Sequence, residues 1–379
     1  MIFDPVKGIT DIKMGIFLSR PNRFTVRCLI NDRETEAYLP NPGRLLELLQ
    51  KDKRLYLIKN IRKDIKRYTV VAVEREGLPV LLHTHYINDV AAYLIDNNHI
   101  KGLEGYRIKK REFTIGGSRF DFILEKDDNQ LVLEVKSCTL FGKDIAMFPD
   151  AVTLRGKRHL LEMSRMNYKA CVLFIVNSPN VRYFSPDYHT DLSFSKTLFD
   201  VRERIMIKAI GIGWKENLSL SGQIKELEVP WKFIKTELDD RGSYILILFL
   251  KEDQKIDIGK KLDLSVKKGY YIYVGSAKKN LSLRINRHKR LRKRLFWHID
   301  YLRERADYIT TLPIRSKDNL ECLIANDIKR ISDMVIPGFG SSDCDCDSHL
   351  FAMKENPLRT RDLIDLLLYY RIDRLRPEA

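Results

Sequence analysis

Two short strand-like runs, Arg119-Phe120-Asp121-Phe122-Ile123-Leu124 and Leu131-Val132-Leu133-Glu134-Val135-Lys136, flank the polar stretch Glu125-Lys126-Asp127-Asp128-Asn129-Gln130. Two apolar strands around a polar break predict a β-hairpin. Side chains on a strand alternate faces, so Glu134 and Lys136 must share one face while Leu133 and Val135 share the other. Asp121 is the polar insertion on the first strand, and the hairpin can bring it beside Glu134. Two carboxylates and an ammonium then meet on one surface.

The pattern around this hairpin sets the organisation of the chain. From Phe17 to about Leu82 short alternating runs such as Phe24-Thr25-Val26-Arg27-Cys28-Leu29-Ile30 and Tyr68-Thr69-Val70-Val71-Ala72-Val73 predict a small antiparallel barrel or sandwich. Within it, Pro40-Asn41-Pro42-Gly43-Arg44 reads as a turn feeding a short helix, with Arg44 near the helix start. A helix over 89–97, the hairpin, a helix near 153–166 and a strand at 170–176 then predict an α/β unit. Periodicity weakens between Gly211 and Glu237, which suggests a linker. Strands at 244–250 and 270–274, a basic helix over 281–295, a helix near 320–331, a turn-rich stretch at 337–347 and a last helix over 361–371 follow. The expected division is a barrel over 1–84, an α/β domain over 85–220, a linker over 221–240, an α+β domain over 241–355 and a C-terminal helix within 356–379.

The balance of charge narrows the partner. With 67 Lys and Arg against 51 Asp and Glu, the formal charge is +16, which favours a polyanion. An anionic membrane is set aside because no apolar run approaches the roughly 18 residues of a span; Ile245–Leu250 reads as a buried strand. The opening Met1–Lys7 lacks the basic start and apolar stretch of a secretory signal, which predicts a cytoplasmic protein with reduced thiols. Nucleic acid is the expected partner, DNA favoured over RNA.

Asp121, Glu134 and Lys136 supply what phosphodiester hydrolysis requires: oxygen ligands for a hard divalent ion, Mg²⁺ or Mn²⁺, and a cation to orient water and stabilise phosphate charge. The competing reading is an exposed, salt-bridged sheet edge. The segments Arg20-Pro21-Asn22-Arg23-Phe24, Pro40–Leu45, Ser118–Phe122, Glu134–Leu140 and Phe148–Leu160 closely resemble the sugar fermentation stimulation protein A (SfsA) family, in order, over roughly residues 1–220. The resemblance implies an OB-like barrel joined to a PD-(D/E)xK nuclease-like α/β domain that binds DNA, with a metal site at Asp121 and Glu134 and Lys136 as the catalytic lysine. Arg44, Arg119, Asp150, Arg155, Lys157 and His159 are then further site or phosphate contacts, a basic helix after the hairpin being able to face the backbone of a nucleic acid. For Asp150, Arg155, Lys157 and His159 the bland alternative is a solvated helix face, and for Arg44 it is a helix-start salt bridge.

Beyond the linker, Gly242-Ser243-Tyr244 opens one strand and Tyr273-Val274-Gly275 closes another, followed by Arg284 and His288 on one helical face. Together with Trp297-His298-Ile299-Asp300-Tyr301 and Gly338–Cys344, these residues resemble the GIY-YIG nuclease fold over roughly 241–355. This chain departs from that pattern in carrying Gly-Ser-Tyr for Gly-Ile-Tyr and a longer insertion between the two motifs. The resemblance implies that Tyr244 and Tyr273 position or activate water, that Arg284 stabilises the pentacoordinate phosphate with His288 as a catalytic residue beside it, and that Glu321 binds a single divalent ion; His288 and His298 read alternatively as packing or hydrogen-bonded histidines. Asp318-Asn319-Leu320-Glu321 also has the spacing of a capping box, which would give Glu321 a purely local role. The basic run from Lys278 to Arg305 predicts phosphate tracking, with Arg287, Arg290 and Arg294 as contacts.

Cys344, Cys346 and His349, joined by Cys322, offer soft ligands, but Cys-x-Cys is tighter than the usual zinc spacing and a fourth ligand is not evident from the sequence. Buried thiols are the expectation, and zinc is not. Two functions compete at this stage: a metal-dependent nuclease with two candidate centres, and a non-catalytic DNA-binding regulator that keeps nuclease folds as scaffolds.

Overall fold

The computed structural model describes residues 12–60, 66–258 and 262–377. The chain divides into two units, 1–235 with 376–379, and 236–375. Among the described residues no helix is long and apolar enough to cross a membrane.

Unit 1 begins with β1 (Ile12–Asn22), β2 (Thr25–Ile30), β3 (Arg33–Tyr38), β4 (Arg54–Lys59) and β5 (Tyr68–Arg75). They are hydrogen-bonded in the order β3-β2-β1-β4-β5, and a parallel pairing of β3 with β5 closes the ring into a five-stranded barrel. Closure pairs every strand on both sides, which removes the open edges that a five-stranded sheet would leave. β6 (Leu78–Leu81) extends β5 as a hairpin. The segment after Pro40 forms a turn, in which Leu48 and Leu49 both donate to the Leu45 carbonyl and Leu45 has φ 52°. The helix expected at Arg44 is therefore corrected, because a positive φ cannot continue a right-handed helix.

The rest of unit 1 is an α/β layer. It runs through α1 (Tyr86–Asp96), β7 (Arg107–Ile115), β8 (Ser118–Lys126), β9 (Asn129–Cys138), β10 (Leu140–Phe141), β11 (Ile145–Phe148), α2 (Leu154–Met163), β12 (Lys169–Val176), β13 (Tyr183–Pro186), α3 (Leu192–Val201), β14 (Met206–Trp214) and β15 (Leu220–Glu226). The main sheet has the order β15-β14-β12-β9-β8-β7, with β12 parallel to both β9 and β14. Leu131, Leu133 and Val135 of β9 pack in the core that α1 covers, whereas Val132 faces the core shared with α2 and α3. The alternation read from the sequence thus sends Glu134 toward α2. α2 starts where Thr153 accepts from the Gly156 amide, which supplies a partner for one of the unpaired N–H groups of the first turn.

Residues 220–226, expected at the linker's start, instead pair with β14. Polar, glycine-broken sequence suits an edge strand that faces water on one side. α4 (Trp231–Glu237) follows, and the division between units falls within it.

Unit 2 comprises β16 (Gly242–Leu250), β17 (Gln254–Ile258), β18 (Leu262–Val266), β19 (Gly269–Ala277), α5 (Leu281–Lys289), α6 (His298–Arg305), β20 (Tyr308–Arg315), α7 (Glu321–Ile331), β21 (Met334–Val335), β22 (Leu350–Met353) and α8 (Arg361–Leu368). The antiparallel sheet has the order β20-β16-β19-β22-β21. Leu246 and Leu248 face a core built with α5 and α6, while Ile245 and Ile247 face one built with α7 and α8. A strand covered on both faces must be apolar throughout, which is why Ile245–Leu250 reads as an unbroken run. The insertion between the two tyrosine motifs is the β17–β18 hairpin. The basic helix stops at Lys289 rather than continuing to 295. Arg290 and Arg294 lie beyond it in irregular chain.

Candidate functional site

In unit 1, β8 and β9 pair as the expected hairpin, with Phe122 opposite Leu133. Asp121 Oδ2 accepts from the Val135 amide at 2.8 Å, and its Oδ1 accepts from Asn88 Nδ2 at 2.9 Å. Glu134 Oε1 accepts from Lys136 Nζ and lies 2.7 Å from His159 Nδ1. Glu134 Oε2 is buried and has no partner among the described residues. Arg155 Nε donates to His159 Nε2 at 3.3 Å. That bond makes Nε2 the acceptor, so the proton of a neutral imidazole sits on Nδ1 and is donated to Glu134.

The two carboxylates are driven apart in acidity. Burial, and then the charge of Glu134, raise Asp121 above the usual carboxylate range. Burial also acts to raise Glu134, but the hydrogen bond from His159 and the charge and hydrogen bond of Lys136 outweigh it and hold this group low. Glu134 is 3% exposed, so the alternative of a solvated sheet edge does not describe it.

Asp121, Glu134 and Lys136 line a cleft of about 1040 Å³ together with Arg23, Arg111, Arg119 and Arg155. Asp150 also borders it and accepts from the Leu45 amide at 3.4 Å. Gly43 leaves room for this carboxylate, since a Cβ there would stand 2.3 Å from Asp150 Oδ2. Arg119 is exposed and paired with Glu112. Arg44 is exposed, and Lys157 donates to Ser193 Oγ at 2.8 Å. His159 corrects one expectation. It is 1% exposed and serves Glu134, so it cannot reach a phosphate at the surface. Asn88 was not found from the sequence, because its role depends on α1 crossing β8, for which the local pattern holds no signal.

In unit 2 Tyr244 and Tyr273 lie on the side of the sheet covered by α5, which carries Arg284 and His288, while Glu321 opens α7 and reaches Ser276 near the end of β19. The Tyr244 hydroxyl lies 3.0 Å from His288 Nε2, and the Tyr244 and Tyr273 rings are 6.3 Å apart. Gly275 permits this, because a Cβ there would come within 2.5 Å of the Tyr244 ring. Burial, then the neighbouring Tyr273, raise the Tyr244 phenol well above its ordinary value. Burial lowers His288, so the imidazole is neutral at neutral pH. Arg284 donates to the Ser276 carbonyl at 2.6 Å and stacks on Trp297 at 4.8 Å.

Glu321 accepts from Ser276 Oγ and lies 3.4 Å from His349 Nδ1. It opens α7, Leu320 is the N-cap, and no side-chain cap forms. The capping-box alternative is therefore not adopted. Arg287 is committed internally: it binds both oxygens of Asp300 at 2.9 and 2.8 Å and stacks on Trp297. The phosphate contact expected of it is corrected by this bidentate pair. Asp300 is fully buried and also accepts from Lys293 at 2.8 Å and from the amides of Phe296 and Trp297. Arg290 and Arg294 are exposed.

Comparison with known proteins follows this division. Residues 18–82 match the SfsA N-terminal OB domain, and residues 85–217 match the sugar fermentation stimulation protein RE domain. The sugar fermentation stimulation protein homolog of Methanothermobacter thermautotrophicus is 38% identical over 188 residues, which cover 48% of this chain and 78% of that protein. The chain belongs to the SfsA family. The SfsA homolog of Shouchella clausii is 34% identical over 55% of this chain and 94% of its own length. A solved structure of Pyrococcus furiosus SfsA, in complex with Ca²⁺, superposes with a TM-score of 0.55 and 28% identity over 60% of this chain and 98% of that one. SfsA-type sequence thus accounts for unit 1, and residues 243–368 match a separate domain of unknown function, DUF123.

Proposed function

We propose that this SfsA-family chain is a divalent-metal-dependent nuclease acting on DNA, with a PD-(D/E)xK-like centre at Asp121, Glu134 and Lys136. The observation that carries the reading is the convergence of these three side chains on the wall of an arginine-lined cleft. The donor set fits a hard cation: Asp121 offers a carboxylate, and Glu134 Oε2 is a buried acceptor that lacks a protein partner. The Ca²⁺ complex of the Pyrococcus furiosus relative involves an ion of the same oxygen-seeking class. Bound there, Mg²⁺ or Mn²⁺ would polarise the phosphodiester and acidify a water.

The protein's own groups do the rest. Val135 N–H and Asn88 orient Asp121, and His159 and Lys136 keep Glu134 ionised. Lys136, on the same strand face as Glu134, is placed to stabilise charge on a phosphate. Arg23, Arg119 and Arg155 supply backbone contacts that position a strand without reading its sequence.

A second centre is favoured by the grouping of Tyr244, Tyr273, Arg284, His288 and Glu321, which supports a GIY-YIG-like reading of unit 2. His288 Nε2 is placed to take the Tyr244 proton, and Arg284 to meet a phosphate. The test is cleavage of labelled single-stranded, duplex, flapped and branched DNA, and of RNA, with Mg²⁺, Mn²⁺ or EDTA. Cutting lost in Glu134→Gln locates it in unit 1, and cutting lost in Tyr273→Phe locates it in unit 2. Metal-independent binding with no cutting in any arm would instead make the chain a DNA-binding regulator.

A further inference from the structure

Cys322 stands in the first turn of α7, Cys344 and Cys346 in the loop between β21 and β22, and His349 immediately before β22. The fold brings one ligand atom from each within 4.8 Å of the others, with Cys344 Sγ 3.3 Å from His349 Nε2. We propose that these four residues form a closed zinc site that ties the β21–β22 loop to α7.

The ligand set argues for zinc. Three thiolates and an imidazole are soft and borderline donors, which select zinc over the hard ions suited to carboxylates. Zn–S bonds of about 2.3 Å in a tetrahedron set neighbouring sulfurs a little under 4 Å apart, within the spread of this cluster. Four protein ligands leave no position for water, so the site is structural rather than hydrolytic.

The surroundings of His349 fit the same assignment. Its Nδ1 faces the Val274 carbonyl at 3.3 Å and Glu321 Oε1 at 3.4 Å, while Nε2 points at the thiols. A metal-bound histidine characteristically donates its other nitrogen to a carbonyl or carboxylate, which sets the tautomer and ring orientation. Glu321 is held in turn by Ser276. The zinc reading also gives the loop a reason to hold its shape. Apart from Phe339 and Ile336 it buries little, and the three cysteines are only partly covered, so the expected buried thiols are not what forms. A metal crosslink supplies the order that a small apolar core does not.

The four ligands belong to neither proposed nuclease centre, and only Glu321, beside His349, is shared with the second. The test is elemental analysis of the full-length protein, purified without added metal and dialysed against a weak chelator. About one zinc per chain is expected, as a four-ligand structural site requires. Cys322→Ser and Cys346→Ser should lose it, and Cys28→Ser should retain it. As a check on the unaltered protein, Co²⁺ exchange should yield thiolate-to-metal charge transfer and the intense visible bands of tetrahedral coordination. Absence of zinc with no Co²⁺ spectrum, zinc kept in both ligand variants, iron in its place, or a disulfide among these cysteines would overturn the assignment.

Discussion

His159 Nδ1 lies 2.7 Å from Glu134 Oε1, and both side chains are sealed from solvent. The contact joins α2 to β9 and sets the charge of the proposed metal ligand. Glu134 is held below its ordinary carboxylate value, so its contribution to stability is present above the unfolded carboxyl pKa and is lost as pH falls through the folded one. Removing His159 should move that loss to higher pH. His159→Ala is expected to cost about 2 kcal/mol at neutral pH, the scale of a hydrogen bond to a charged group. Urea denaturation across pH checks both points, and an acid limb that does not move would contradict the role given to His159.

Asp121 behaves with the opposite sign. Its carboxyl is raised by burial and by Glu134, so in the metal-free protein its ionisation costs stability as pH rises through the unfolded carboxyl range toward the raised folded value. Asp121→Asn should therefore raise the melting temperature of unit 1 at neutral pH. Mn²⁺ should raise the Tm of the unaltered protein, and the same substitution should abolish that rise. Differential scanning calorimetry with and without the ion reads both effects.

Asp300 holds two cations in unit 2, Arg287 and Lys293, with no exposure of its own. Asp300→Asn leaves both ammonium and guanidinium groups short of a counter-charge, and about 3–5 kcal/mol of stability should be lost. Arg287→Lys should recover little of the native state, because one ammonium cannot make the bidentate pair. Burial opposes the ionised form of Asp300, but the neighbouring His288 ring, 3.6 Å away, and the hydrogen bonds from Arg287, Lys293 and the Trp297 amide outweigh it and keep its pKa far below the usual range. Its support should accordingly persist into strong acid, which denaturation at low pH will show.

The arginines of the unit 1 cleft give a quantitative signature of nucleic-acid binding. Replacing Arg23, Arg119 or Arg155 with Gln should weaken duplex binding across sequences and reduce the slope of log K against log salt by about 1 each. Fluorescence anisotropy over a salt series measures the slope. An unchanged slope would remove that residue from the interface.

Much of the site's chemistry was legible because it is local. Asp121, Glu134 and Lys136 sit on two adjoining strands, where a period of two and a polar turn dictate which residues share a face. His159 was legible as a site residue but not in its role, since nothing in Arg155–Leu160 says which face of α2 meets β9. Arg287 reads as one more charge in a basic run until Asp300 is seen beneath it. The polar stretch from Ser219 to Glu226 reads as a linker because an edge strand needs little apolar sequence.

Alternation and turn chemistry act over a few residues, so the β8–β9 hairpin, the apolar run of β16 and the charged groups on the hairpin's face were legible locally, whereas polar or edge strands such as β15 were not. The partners came instead from packing: Asn88 on Asp121, His159 on Glu134, Asp300 under Arg287, and Cys322 beside Cys344, Cys346 and His349. Each of these meetings joins elements distant along the chain, and it depends on the packing of helices against sheets, where burial decides which polar groups must find one another.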